Sequence, residues 1–227
     1  MHKITPASED SLLIYFGQQI DPELVRLIAG FSQQLRNTIP ELIIDLVPSY
    51  TSLLVRYDLS LIGYEAMRIK VEQLLEAYRP DNHAHQPQTV HIPVYYSPET
   101  GLDLEQLLAQ KNLTLEQLIE IHSAKAYLIY AIGFAPGFAF LGEVDPRIQA
   151  PRLSTPRISI PPGSVGIADS QTAIYPTQSS GGWNIIGRTV LDLSLNDPKN
   201  IDRFKVGDYV RFYPISRDEY LKNGGQL

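Results

Sequence analysis

The stretch 133–188 constrains this chain most. It reads GFAPGFAFLGEVDPRIQAPRLSTPRISIPPGSVGIADSQTAIYPTQSSGGWNIIGR, with glycines and prolines set between short apolar runs. Glycine serves where the backbone turns with φ > 0 or lies close to another group, and proline fixes φ and removes a donor. A linker of this composition would lack the interleaved Phe134, Phe138, Phe140, Val165, Ile174, Trp183 and Ile186. Those side chains need burial, so the stretch is expected to fold as a turn-rich surface and to carry a site.

The flanking sequence divides in two. Leu12–Phe16 is an apolar strand, and Asp21-Pro22-Glu23 opens a helix, with Asp as N-cap and Pro at the first helical position. Leu24, Ile28, Phe31 and Leu35 share one helical face, and Pro40 stops the helix. Residues 42–47 and 52–57 form two further strands joined through Pro48-Ser49-Tyr50. A second helix spans about 61–78, with Met67, Val71, Leu74 and Tyr78 on one stripe. The order β-α-β-β-α predicts a small α+β sandwich over 1–80, ferredoxin-like in part. Arg79 to Pro87 is polar and proline-bounded, which suits a linker.

From 89 to 227 the signals are mostly β. Thr89–Tyr96 alternates as a strand, Asp103 caps a short helix, and Thr114 with Gln117 makes a capping box for another ending near Ser123. Short strands follow from Tyr127, and Gly207-Asp208 turns into a closing strand at 209–213.

The chain has 227 residues, a net charge of −6, no cysteine and no run of Lys or Arg. Disulfides, thiolate zinc sites and cysteine nucleophiles are excluded, and nucleic acid is not an expected partner. No apolar run approaches membrane-spanning length and no signal pattern opens the chain, so a cytoplasmic protein is expected.

Several residues could carry chemistry. Arg152 and Arg157 lie in two Pro-Arg pairs, and Arg188 lies in Ile-Gly-Arg-Thr. Each offers a planar fork for a carboxylate or phosphate, or else a surface ion pair with Glu143 or Asp145. Gly163-Ser164 and Gly181-Gly182 either present backbone N–H groups to an anion or make tight turns. His122 is either a base near working pH or a cation suited to a helix C-terminus. Gln171, Thr172 and Tyr175 suit an amide ligand, with Phe134 and Trp183 as pocket walls or core. His83, His85 and His91 cluster around the linker without a carboxylate spaced as partner, so no metal site is expected. A Walker-type loop and a Gly-x-Ser-x-Gly elbow are both absent.

The run Gly133–Gly142, Pro151-Arg152, Pro156-Arg157, Pro162–Ile167, Gln171-Thr172, Ile174–Pro176, Gly181–Trp183 and Ile186–Thr189 closely resembles the family of the 5-oxoprolinase B subunit, allophanate hydrolase subunit 1 and the kinase inhibitor KipI. The resemblance is strong over about 89–214. Phe140, Pro161, Ala173, Ser180 and Leu102 depart from its usual residues, and each is small or apolar.

The resemblance implies a cyclophilin-like β-barrel over 89–227. It also implies one component of an ATP-dependent 5-oxoprolinase that opens 5-oxo-L-proline to L-glutamate. Such a component would work in a hetero-oligomer with a C-type subunit (allophanate hydrolase subunit 2 type) and a barrel-like A-type subunit, sharing ATP with them. His122, Arg157 and Arg188 are the expected catalytic groups. Phe134, Arg152, Gly163, Ser164, Gln171, Thr172, Tyr175, Gly181, Gly182 and Trp183 are expected to bind substrate. A kinase-inhibitor role and an allophanate hydrolase or urea carboxylase accessory role share the same motifs and stay open.

Overall fold

The structure is a computed structural model that describes residues 2–79 and 87–227. His83, His85 and most of the expected linker lie outside the described residues. The chain divides into two compact units, Met1–Pro87 and Gln88–Leu227.

The first unit runs β1 (Lys3–Ser8), β2 (Ser11–Tyr15), α1 (Pro22–Thr38), β3 (Ile43–Ser49), β4 (Ser52–Tyr57) and α2 (Tyr64–Ala77). Its strands form one antiparallel sheet in the order β1-β2-β4-β3. The Asp21 carboxylate accepts from the Glu23 amide at 2.8 Å and starts α1 as the sequence predicts. α1 then buries Ile28, Phe31 and Leu35 in a core with Leu12, Ile14, Leu53, Val55, Met67 and Val71.

Two readings of this half are corrected. The element order is ββαββα, so the strand that a ferredoxin-like βαββαβ unit carries last stands first here. β1 escaped notice because it buries no side chain fully. Pro48 lies within β3 rather than in the turn, and Tyr50-Thr51 make the turn. β3 is an edge strand, where a missing N–H costs no ladder bond.

The second unit runs β5 (Thr89–Val94), α3 (Leu104–Lys111), α4 (Leu115–Ser123), β6 (Ala126–Ile132), β7 (Ala139–Gly142), β8 (Arg157–Ile160), β9 (Ser164–Ala168), β10 (Gln171–Ile174), β11 (Ser179–Gly181), β12 (Asn184–Arg188), β13 (Tyr209–Pro214) and α5 (Arg217–Lys222). Seven strands form a sheet in the order β12-β9-β10-β7-β6-β13-β5, and β8 pairs with β11 beside it. The two edges of the sheet meet just beyond β5. The Tyr95 amide donates to the Arg188 carbonyl at 2.9 Å, and the Arg188 amide returns the bond at 3.1 Å. The sheet is therefore a nearly closed barrel. Gly187 permits the seam, since a β-carbon there would stand 2.7 Å from the Tyr95 carbonyl oxygen.

Ile92, Val94, Tyr127, Ile129, Leu141, Val165, Ile167, Ile186 and Phe212 fill the barrel core together with Leu104 and Leu107 of α3 and Leu118 of α4. Phe138, Ile160, Ala173, Tyr175, Trp183 and Ile185 form a second, smaller cluster. The Thr114–Gln117 capping box starts α4 as predicted, with both reciprocal bonds present. Asp103 does stand at the N-cap of α3, but its side chain makes no capping bond.

Candidate functional site

The Asp103 carboxylate is used elsewhere. It is 3% exposed and receives the Arg157 fork, with Nη1 donating to Oδ2 at 2.8 Å and Nη2 to Oδ1. Oδ2 also accepts from the Ile185 amide at 2.7 Å. One buried carboxylate therefore ties α3, β8 and β12 together. Arg157 is held by this acid, not by Glu143 or Asp145. Asp145 instead pairs with Arg147, which holds its carboxyl down at about 2. Asp103 was readable only as a helix cap, because its arginine lies 54 residues away.

His122 is fully buried. Thr172 Oγ1 donates to the Gly166 carbonyl at 3.0 Å, so it accepts from His122 Nε2 at 3.0 Å. His122 Nδ1 then accepts from the Tyr96 hydroxyl at 2.7 Å. This chain of bonds needs a neutral imidazole, and burial pushes the His122 pKa down to about 3. The ring also stacks on Phe212 at 4.6 Å. His122 and Thr172, expected as base and substrate contact, are thus interior ties between α4, β5's end and β10. Neither reading of His122 as a titrating group, base or helix-end cation, fits a neutral ring in the core.

Phe134, Arg152, Tyr175, Gly181, Gly182 and Trp183 gather around the smaller cluster. Phe138 sits at its centre with Phe134, Phe140, Tyr175 and Trp183 edge-on around it, ring centres 4.9–5.7 Å away. The Arg152 guanidinium lies 6.0 Å from the Trp183 ring. Gly181 is required by space, because a β-carbon there would stand 2.3 Å from the Tyr175 hydroxyl. Burial pushes the Tyr175 phenol up to about 12, so it remains a neutral donor and acceptor. Phe134 is 68% exposed and holds φ at 71°, an uncommon conformation for an aromatic residue.

Gly163, Ser164 and Arg188 come together at the start of β9, where the Gly163 amide donates to the Tyr175 carbonyl at 2.7 Å and the Tyr175 amide to the Ser164 carbonyl at 2.9 Å. Ser164 faces Arg188 across the β9–β12 ladder. Gly163 has φ of 77°, and a β-carbon there would meet the Thr189 carbonyl at 2.6 Å. Ser164 is fully buried, and its hydroxyl has no partner among the described residues. Arg188 Nη1 donates to the Gln226 carbonyl at 3.0 Å, while its buried Nε has no partner among the described residues. A cavity of about 290 Å³ opens beside Gly163 and Arg188. Gln171 does not join them. It pairs with Ala168 at the far end of β9, four residues or roughly 13 Å from Ser164.

The carboxyltransferase domain, subdomain C and D, matches residues 2–201. The chain belongs to this family. Among relatives, the 5-oxoprolinase B subunit of Bacillus subtilis is 35% identical over 96% of this chain and 95% of its own. The 5-oxoprolinase B subunit of Haemophilus influenzae is 32% identical over 92% of this chain and 96% of its own. The crystal structure of TTHA0988 superposes with a TM-score of 0.78 at 32% identity over 91% of this chain, which spans 40% of that longer chain.

Within this member of the carboxyltransferase C and D family, most expected site residues divide among the interior, the aromatic cluster and the Arg188 cavity, while Arg157 is held on Asp103 and Gln171 stands at the far end of β9. Arg157 has its fork filled by Asp103, Arg152 stands exposed over Trp183, and no lysine lines the Arg188 cavity. Among the described residues no group of His, Asp and Glu is placed to hold a metal ion. No helix among them is long and apolar enough to cross a membrane. Sequence reasoning missed Asp103 as the partner of Arg157. It also missed the C-terminal cover over Arg188, although Ser216 and Glu219 spell a capping box that marks α5.

Proposed function

We propose that this chain is the B subunit of a 5-oxoprolinase, a complex that adds water across the amide C–N bond of 5-oxo-L-proline to give L-glutamate. The observation that carries this reading is the end-to-end similarity to the 5-oxoprolinase B subunit of Bacillus subtilis. The site geometry fits a supporting role. This chain supplies arginine and backbone donors for an oxyanion, and His122 is sealed in the core. In this reading C-type and barrel-like A-type subunits complete the active site, and ATP is bound with their residues.

The test is to purify this chain alone and together with its C-type and A-type partners, then follow 5-oxo-L-proline-dependent ATP hydrolysis and glutamate release. Turnover is expected only from the assembly. Turnover by the lone chain, or an assembly that ignores 5-oxo-L-proline, overturns the reading.

A further inference from the structure

A closed loop holds Phe134 out in solvent. The Gly133 amide donates to the Phe138 carbonyl at 3.0 Å, and the Phe138 amide donates to the Ala135 carbonyl at 3.0 Å. Between these bonds Phe134 keeps φ at 71° and stays 68% exposed. A left-handed backbone is unfavourable for an aromatic residue, and little burial offsets it here. Such strain persists only where the surrounding structure fixes it, and it gathers at functional sites.

Two more residues border the same aromatic cluster. Between the pairs Ile160–Ser179 and Arg157–Gly181, β8 carries one residue more than β11. Ile158 falls in this bulge and is 94% exposed, while Ile160 joins the cluster. Bulges re-aim side chains, and this one turns an isoleucine out into water. The Arg152 guanidinium lies 6.0 Å from the Trp183 ring and makes no ion pair among the described residues. The Phe134 and Trp183 rings both abut Phe138, at 5.3 and 5.7 Å between centres. One patch therefore presents a fixed aromatic ring, an aliphatic side chain and an unmatched cation.

Aromatic residues and arginine are the types that anchor protein interfaces. A small-molecule site is concave, whereas a ring on the tip of a loop suits insertion into a pocket on another protein. The unmatched charge of Arg152 calls for a carboxylate on that protein. Relatives give room for such a partner. The B-subunit relatives are by name parts of a larger assembly. In TTHA0988 the matching part is 40% of the chain, so there this fold is continuous with further chain.

We propose that the Phe134–Arg152–Ile158 patch docks another protein subunit, one that presents an apolar pocket for Phe134 and a carboxylate for Arg152. The inference rests on the 5-oxoprolinase reading for which subunit that is.

The test measures binding of the full chain to the purified C-type and A-type subunits by calorimetry, at low and high salt, beside thermal melts. Phe134→Asn removes the ring but keeps a residue that tolerates positive φ. It is expected to melt no lower than the parent and to bind the partner at least tenfold more weakly. Ile158→Ser, at a side chain with almost no burial to lose, is expected to weaken binding without a change in melting. Arg152→Glu is expected to weaken binding more than Arg152→Ala, with the difference shrinking at high salt. Parent-like binding by Phe134→Asn and Arg152→Glu overturns the docking surface and leaves the 5-oxoprolinase reading standing. Failure of the parent chain to bind either subunit overturns both. Self-association of the parent that is lost in Phe134→Asn would give the patch to a second copy of this chain and overturn the proposal as well.

Discussion

A guanidinium can lock a buried acid in place or recognise a ligand, and Arg157 does the first. Its partner Asp103 is 3% exposed and also holds the Ile185 amide. Arg157→Ala leaves that carboxylate buried and unpaired, and breaking such a pair costs about 3 kcal/mol. The variant is expected to melt well below the parent while the surviving folded fraction binds its partners normally. Thermal melts read alongside activity per folded molecule check this, and a parent-like melt with lost activity reverses the assignment. Arg188 differs, because its buried Nε is left without a partner among the described residues. The two arginines look alike in sequence, each following a Pro- or Gly-rich turn. Only the fold separates them, since Asp103 is distant in the chain and the Gln226 carbonyl is backbone, which no side-chain motif records.

At the scale of elements, the legible parts were those signalled within a few residues. Asp21-Pro22 marked the start of α1, and Thr114 with Gln117 marked the start of α4. Pairing across the chain was not legible. The parallel register of β5 on β13 joins Thr89 to Tyr209, and the seam joins Tyr95 to Arg188. Gly187 is the residue on which the seam depends, because any β-carbon would meet the Tyr95 carbonyl at 2.7 Å and Val94 at 3.0 Å. Gly187→Val is expected to part the two edges there. Hydrogen exchange at the Tyr95 and Arg188 amides should accelerate at least tenfold, with a smaller change at β9–β10. Unaltered exchange at both amides would show that the seam tolerates the extra carbons.

For the molecule as a whole, the interior histidine sets an acid limit. Above pH 6.5 His122 is neutral in both folded and unfolded chains. Below that the unfolded chain takes up a proton, while the folded ring, held near 3 by burial, does not. Stability therefore falls as the pH drops from 6.5 toward 3, by up to about 1.4 kcal/mol per pH unit from this group. Urea unfolding at pH 7, 6, 5 and 4 reads this slope. His122→Gln should flatten it while keeping a donor and an acceptor for Thr172 and Tyr96. An identical slope in the variant would assign the acid sensitivity to other groups.

The parallel β5–β13 pairing also orders events on the ribosome. β5 begins at residue 89, and its ladder partner begins at residue 209. A growing chain thus carries an unpaired strand with the apolar Ile92 and Val94 through nearly all of the synthesis of its unit. The nascent barrel cannot shut until the final strand has emerged. Unpaired apolar edges are the places where chains stick to one another, so this unit is exposed to association until β13 has emerged.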